Sequence, residues 1–160
     1  MLIVADSSPL ISFAVLGKLE LLNNIFEKII VPQAVYDEVT VMNKPYSNNL
    51  ETFLKGKVKK IENDVAIRVL KTELDLGEAE SIILALEKNI RDIFIDDFKG
   101  RRAAKANGLS PIGTVGVLLR AKKLNLITEV KPLLDILLNN KIRIGEDLFN
   151  RALELAGENQ

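Results

Sequence analysis

A short apolar run that stops at two carboxylates restricts the fold of this chain more than any other stretch. Residues 93–95 are apolar and are followed directly by Asp96 and Asp97, and then by a basic segment with a helix predicted at 101–107. An apolar run of this length without alternation is typical of a strand covered on both faces, as in a parallel α/β sheet. Because ligands bind such sheets at the carboxyl ends of the strands, the two aspartates are expected at the rim where chemistry takes place.

Short apolar runs alternate with helix-like segments along the rest of the chain. Residues 2–5 predict a first strand that ends at Asp6, and residues 28–31 predict a second strand. An amphipathic helix is predicted at 78–88, and the stretch 43–49 is predicted as a loop. This alternation predicts an α/β fold, a three-layer α/β/α sandwich around a central, mostly parallel sheet.

The chain is predicted to form a single domain over residues 1–160, with a C-terminal helical extension from about residue 128. Two amphipathic segments, 130–139 and 146–156, support the extension. The leucine stripe of the first segment is interpreted as core, with contact to a partner chain as the alternative; it comprises Leu133, Leu134, Leu137 and Leu138. Since these segments offer more apolar surface than one small domain readily covers, a homodimer is predicted.

Composition excludes several kinds of site. The 160 residues include no cysteine and no histidine, so disulfides, thiolate sites, serine–histidine triads and histidine-ligated zinc are all excluded. Any metal must be held by oxygen, which favours Mg²⁺ or Mn²⁺. The 22 basic and 22 acidic residues balance, so the chain is not a globally basic nucleic-acid binder. Residues 2–5 are too short a stretch for a signal peptide or a membrane span, so a cytoplasmic protein without membrane contact is predicted.

Four acids occupy comparable places in this pattern. Asp6 and Asp96 end strands, Glu38 lies in the helix after the second strand, and Glu78 opens the helix before the central strand. Each has a structural explanation, as a helix cap, a solvated helix face, a favourable charge at a helix N-terminus or a turn residue. Taken together, their positions are better explained by one shared site at the rim of the sheet than by four unrelated structural roles.

Carboxylates gathered at one rim repel one another. At an effective dielectric constant of about 20, two unit charges 4 Å apart cost about 4 kcal/mol. Such a cluster takes up protons, binds a basic side chain or holds divalent cations. The cluster therefore predicts an oxygen-only Mg²⁺ or Mn²⁺ site that activates water against a phosphodiester. Asp97 is included as a possible further metal ligand.

At these residues the chain resembles the PIN-domain family of metal-dependent ribonucleases, and within it the small prokaryotic VapC-like toxins. The resemblance extends from Met1 to about Leu126 and lies in four motifs, Val-Ala-Asp-Ser-Ser-Pro-Leu at 4–10, Tyr-Asp-Glu-Val at 36–39, Gly-Glu-Ala-Glu at 77–80 and Phe-Ile-Asp-Asp at 94–97. It implies a PIN-like fold with Asp6, Glu38, Glu78 and Asp96 as catalytic, metal-holding acids. It further implies an RNA substrate, an antitoxin partner and a homodimer.

The chain departs from the common family pattern at the third acid, which is Glu rather than Asp. Glu80 competes with Glu78 for this position, and Asp97 competes with Asp96 for the fourth; we favour Glu78 and Asp96. Together with Asp-Asp-x-x-Gly-Arg at 96–101 and Gly-Thr-x-Gly at 113–116, these departures resemble a PIN-like branch of largely unassigned function.

Three functions remain open from the sequence. The first is a Mg²⁺- or Mn²⁺-dependent endoribonuclease, possibly the toxin of a toxin–antitoxin pair. The second is a catalytically degenerate PIN-like scaffold that binds RNA or protein. The third is a phosphoryl-accepting receiver, suggested by Asp96, Asp97, Thr114 and Lys122, although receivers place paired acids after the first strand.

Two further features bear on nucleic-acid binding. The basic residues after the paired aspartates are either a solvated helix face or a phosphate-binding patch, and they are Lys99, Arg101, Arg102 and Lys105. With six phenylalanines, two tyrosines and no tryptophan, the composition argues against base-stacking platforms.

Overall fold

The computed structural model describes residues 1–159 and contains a five-stranded, all-parallel sheet in the order β3-β2-β1-β4-β5. The strands are β1 (Leu2–Ala5), β2 (Lys28–Pro32), β3 (Val58–Lys59), β4 (Asp92–Phe94) and β5 (Ser110–Ile112). Because every strand is parallel to its neighbours, all carboxyl ends lie at one edge of the sheet. The parallel α/β fold predicted from the alternating pattern is confirmed.

Helices cover both faces of this sheet. They are α1 (Ser7–Val15), α2 (Leu19–Ile25), α3 (Gln33–Val39), α4 (Ser47–Leu54), α5 (Asp64–Leu70), α6 (Leu76–Glu87), α7 (Phe98–Ala106), α8 (Thr114–Lys123), α9 (Lys131–Asn139) and α10 (Glu146–Ala156). No helix within residues 1–159 is long and apolar enough to cross a membrane.

The central strands place alternate side chains in two separate cores, which is why their apolar runs show no alternation. Ala5 and Phe94 point into the core formed with α1, α2, α8 and α9. Val4, Ile93 and Ile95 point to the opposite side, into the core formed with α5, α6 and α7. All five side chains are completely buried. The sheet is therefore the middle layer of an α/β/α sandwich, as the uninterrupted apolar runs predicted.

The region predicted as a loop at 43–49 is only partly irregular. Helix α4 begins at Ser47, directly after Tyr46, which has a left-handed backbone with φ of 66°. Leu50, Phe53 and Leu54 are buried from this helix. Their burial against the core outweighs the low helix propensity of the two asparagines in the first turn.

The C-terminal helices pack onto the same domain. Leu133, Leu134 and Leu137 are buried in the core beside α1 and α8, whereas Leu138 is 40% exposed. Glu158 links the segment after α10 to α8 and α9. Its carboxylate accepts a hydrogen bond from Lys122 Nζ at 2.8 Å. It also accepts hydrogen bonds from the backbone N–H groups at the start of α9 at 2.8 and 2.9 Å. The interpretation of the leucine stripe as core is confirmed for three of its four members, so less apolar surface is left for a second copy than expected.

The first and fourth strands are neighbours, and this positions the predicted site. Ile3 lies opposite Asp92 and Ala5 opposite Phe94, and the backbone N–H of Asp6 donates to the carbonyl of Phe94 at 2.9 Å. The order of strands reverses between β1 and β4, which is the place where open parallel sheets bind ligands. The residues that follow these two strands, Asp6 and Asp96, therefore lie at the same edge.

Candidate active site at the carboxyl ends of β1 and β4

Asp6 is buried at the end of β1 with one carboxylate oxygen unpaired in the described part of the chain. It is 3% exposed, and within residues 1–159 its Oδ1 atom has no hydrogen-bond partner. It stands at the N-cap position of α1, yet its side chain makes no capping hydrogen bond. Burial raises the pKa of Asp6 to about 8, with smaller contributions from Asp75, Glu78 and Glu38 and partial compensation by the N–H of Ser7. Helix capping thus does not explain this residue.

Glu38 approaches Asp6 from α3. Its Oε2 atom accepts a hydrogen bond from the hydroxyl of Ser7, which follows Asp6 in the chain. A Cβ at Gly77, in the first turn of α6, would lie 3.4 Å from Asp6 Oδ1 and 3.4 Å from Glu38 Oε2. Both carboxylates therefore lie next to Gly77. Because glycine has no side chain, the space between the two carboxylates stays open.

Glu78 is buried in the first turn of α6 and forms a capping box with Asp75. The N–H of Glu78 donates to Asp75 Oδ1 at 2.8 Å, and the N–H of Asp75 donates to Glu78 Oε2 at 3.1 Å. Burial raises the pKa of Glu78 to about 7, and the negative charges of Asp75 and Asp97 act in the same direction. Glu78 therefore has a structural role at the helix N-terminus. The same carboxyl group also lies close to other acids.

Asp97 begins α7 and faces Glu78. Its Oδ2 atom accepts a hydrogen bond from the N–H of Gly100 at 3.2 Å, as an N-cap does. A Cβ at Gly100 would lie 3.6 Å from the carboxyl carbon of Glu78. The N-terminus of α7 and that of α6 therefore meet at these two acids.

Asp96 is held by the start of α8. Its Oδ1 atom accepts from the N–H of Thr114 at 2.7 Å, and its Oδ2 atom accepts from the hydroxyl of Thr114 at 2.6 Å. A Cβ at Gly113 would lie 2.8 Å from Asp96 Oδ1 and 3.0 Å from Nη1 of Arg101, which donates to the carbonyl of Ile95 at 3.0 Å. Only a glycine fits at residue 113 without moving these groups.

The structure separates Glu80 from Glu78. Glu80 Oε1 accepts a hydrogen bond from the backbone N–H of Ala34 at 3.1 Å, in the first turn of α3. This contact satisfies one of the free N–H groups at a helix start. Glu80 thus joins α6 to α3, whereas Glu78 lies near the other acids.

Among the described residues, Lys122 does not contact the acids of the candidate site. Its ammonium group donates to Glu158 and to the carbonyl of Ala156 at 2.6 Å. Thr114 opens α8 and Lys122 lies near its other end. This arrangement does not favour the phosphoryl-accepting receiver.

Two contributors to the site went unrecognised in the sequence. Asp75 was not among the candidate acids, although its spacing from Glu78 is that of a capping box. Arg101 belongs to the basic patch and ends the Asp-Asp-x-x-Gly-Arg motif, but neither feature predicted a place in the site; its bond to the carbonyl of Ile95 places it beside Asp96. Arg102, the next residue, is exposed.

Pairs of these acids lie near each other, Asp6 with Glu38 and Glu78 with Asp97, but the set does not form a ready-made metal cage. Within residues 1–159, no three acidic side chains are grouped closely enough to hold a metal ion. Glu38, Glu78 and Asp96 each accept a hydrogen bond from a neighbouring group instead. The oxygen-only donors and the buried, unpartnered Oδ1 of Asp6 nevertheless suit a hard divalent cation, which would replace the protons that the raised pKa values imply.

Comparison with known proteins identifies one family. The model of a PIN-domain family, DUF3368, matches residues 2–158, which extends past Leu126 through the C-terminal helices. No curated protein and no solved structure gives a significant match.

Proposed function

Because the chain belongs to the PIN-domain family, whose members are generally nucleases, we propose that it is a Mg²⁺- or Mn²⁺-dependent endoribonuclease. One observation carries the proposal. Asp6 is buried at the reversal of strand order with an unpartnered oxygen, and Glu38 and Glu78 are near enough to raise its pKa. A carboxyl group in this position costs stability when it ionises, and a divalent cation is the simplest ligand that compensates for the charge.

Asp6, Glu38, Glu78 and Asp96 would hold the metal, with Asp97 at the margin. A bound Mg²⁺ or Mn²⁺ supplies an activated water and offsets the negative charge that develops on the phosphodiester. The protein's own contribution is to position the acids: Ser7 orients Glu38, the capping box orients Glu78, and Thr114 orients Asp96. Asp6 and Glu78, whose pKa values are raised, would have to give up their protons to hold a cation.

The biological setting that we propose is narrower. The resemblance to VapC-like toxins supports a cytoplasmic toxin that cleaves RNA, is inhibited by an antitoxin protein and forms a homodimer. A second candidate function is a degenerate scaffold that binds RNA or protein without cutting. It is favoured by the absence, within residues 1–159, of three acids grouped for a metal.

Cleavage of a panel of single-stranded and structured RNAs tests the proposal. The protein, freed of any co-expressed inhibitor, should cleave with Mn²⁺ or Mg²⁺ and should stop in the presence of a chelator. Glu38→Gln should lose most of this activity, since the amide no longer carries the charge that holds a cation. Asp37→Asn is the matched control, because Asp37 precedes Glu38 on α3 and accepts instead from Gln33 Nε2 at 2.8 Å.

Full activity of Glu38→Gln would contradict the assignment of the site. A wild-type protein that binds RNA but does not cleave it with either metal would support the scaffold instead.

A further inference from the structure

A cleft of about 620 Å³ opens beside the acids, and the catalytic proposal makes no use of it. Its walls come from distant parts of the chain: Ser8 and Ile11 of α1, Phe98 of α7, Thr114 of α8, and Arg143 and Leu148 near the C-terminus. Asp96 and Asp97 lie at its edge, so the cleft and the acidic rim are continuous. The C-terminal helical extension also lines the cleft, through Leu137, Ile142, Arg143, Ile144 and Leu148.

Phe98 is the most unusual part of this cleft. Its side chain is 75% exposed, although burying a phenylalanine is worth about 1.5–3 kcal/mol. It directly follows Asp97, so an aromatic face lies next to the proposed metal-holding acids. Exposed aromatic side chains beside a backbone-binding site are the usual means of stacking an unpaired base. The low aromatic content argues against an extended stacking platform, but one exposed ring is enough for one base.

Arg143 supplies a positive charge in the cleft. It lines the same cleft, is exposed, and makes no ion pair within residues 1–159. A guanidinium group binds phosphate oxygens through paired hydrogen bonds. The cleft thus combines an apolar floor, an aromatic ring and a cation, which are the groups that a base and its adjoining phosphate require.

We propose that this cleft binds one unpaired nucleotide next to the phosphodiester that is cut, with its base on Phe98 and its outer phosphate on Arg143. The proposal rests on the proposed ribonuclease function and specifies its substrate as RNA that is single-stranded at this nucleotide. A volume of about 620 Å³ suits one nucleotide and lies within the usual range for small-ligand sites. A duplex would not present a base to Phe98, because its bases are paired and stacked.

Fluorescence of short single-stranded RNAs carrying one 2-aminopurine tests the inference apart from cleavage. Binding is measured in Ca²⁺, with the fluorophore moved along the RNA one position at a time. We expect quenching at one position with the wild type and none with Phe98→Leu, which keeps an apolar side chain but removes the ring. Loss of a stacked base should raise Kd at least about fivefold.

Arg143→Gln should weaken binding and lower the salt dependence of log Kd by about 0.7, the value for one phosphate contact on a single strand. Val69→Ala and Arg68→Gln are matched controls, because both residues are exposed on α5 and neither lines the cleft. In Mn²⁺-dependent cleavage, Phe98→Leu and Arg143→Gln should raise KM more than they lower kcat. Melting temperatures near that of the wild type establish that the exposed side chains were not needed for folding.

Several outcomes distinguish this inference from the ribonuclease proposal. Quenching at one position without cleavage supports the nucleotide site and contradicts the nuclease. Cleavage with unchanged KM in both variants and no quenching overturns the nucleotide site and leaves the nuclease standing. If Phe98→Leu instead alters the oligomeric state and leaves RNA binding unchanged, the cleft is a protein contact and the inference is wrong.

Discussion

Asp6 shows how a single residue can indicate a function when its structural roles are absent. Aspartate at an N-cap normally accepts a hydrogen bond from the following turn, and here it does not. A buried carboxyl group without a partner lowers stability, since ionisation costs solvation that the protein does not replace. A ligand that pairs with this group would offset that cost. The buried, unpaired carboxyl oxygen of Asp6 is the basis of the proposed metal site.

The buried acids predict an unusual dependence of stability on pH. The pKa values of Asp6 and Glu78 in the folded chain are about 8 and about 7, above their ordinary values of 3.8 and 4.5. The folded state therefore binds more protons than the unfolded state at intermediate pH, and the free energy of unfolding should fall as pH rises through this window. The slope approaches about 1.4 kcal/mol per pH unit for each group.

Urea unfolding in a chelator at about pH 5, 6 and 7 measures this slope. Asp6→Asn should reduce it by about half and should be more stable than the wild type near neutral pH. An unchanged slope in Asp6→Asn would show that Asp6 ionises normally in the fold.

Glu78 and Glu80 should respond differently to the same change. Glu78→Gln should fold, because glutamine also serves in a capping box, but it should lose Mn²⁺-dependent cleavage with the charge. Glu80→Gln should stay close to the wild type, because the amide oxygen can still accept from the N–H of Ala34. Cleavage rates of the two variants at saturating Mn²⁺ check the assignment, and the reverse result would exchange the roles of the two residues.

At the scale of elements, periodicity predicted what lies in the core and missed what depends on side-chain capping. The parallel sheet followed from apolar runs without alternation. Helix α7, however, begins at Phe98 rather than near Arg101, because Asp97 caps it through the N–H of Gly100. The sequence pattern indicated Asp97 only as a possible metal ligand, not as a helix cap. The order of the acids along the chain indicated the family. The hydrogen bonds of Glu38 to Ser7 and of Asp96 to Thr114 could not be predicted, because they join distant segments.

The loop that joins β5 to α8 predicts a sharp effect of one methyl group. In Gly113→Ala the new Cβ would lie 2.8 Å from Asp96 Oδ1, so Asp96 must leave its bonds to Thr114. We expect the variant to fold and to lose cleavage by tenfold or more, on the order that displacement of a positioned group costs. In Gly116→Ala the Cβ approaches only Ile112, at 3.2 Å, and activity should be retained. Equal activity of the two variants would show that the position of Asp96 is unimportant.

At the scale of the whole molecule, the C-terminal helices pack into the same core as α1 and α8, the helices that follow Asp6 and Gly113. The family match extends to residue 158, and three of the four leucines of the stripe are buried in the core beside α1 and α8. The same segments supply one wall of the Phe98 cleft. Their sequence predicted helices and an apolar face, but it gave no indication that Ile142, Arg143 and Leu148 line the same cleft as Asp96, because that arrangement depends on how the helices fold back.

A homodimer remains a prediction of the resemblance and of the apolar surface still present. Leu138 is 40% exposed on α9, and Leu155 is 62% exposed on α10. Light scattering at micromolar concentration should give the mass of two chains, and Leu155→Glu should weaken a dimer formed through these helices. A monomeric wild type under these conditions would show the prediction to be wrong.

Calorimetric titration of the metal-free protein with Mn²⁺ tests the central claim most directly, because it needs neither an RNA nor an antitoxin. The wild type should bind Mn²⁺ and release protons into the buffer, since Asp6 and Glu78 hold protons near neutral pH. Glu80→Gln should bind as the wild type does. Asp6→Asn should fold and lose most of its affinity, because the buried charge that the cation compensates is gone. Binding of Mn²⁺ by Asp6→Asn with unchanged affinity and unchanged proton release would contradict the account.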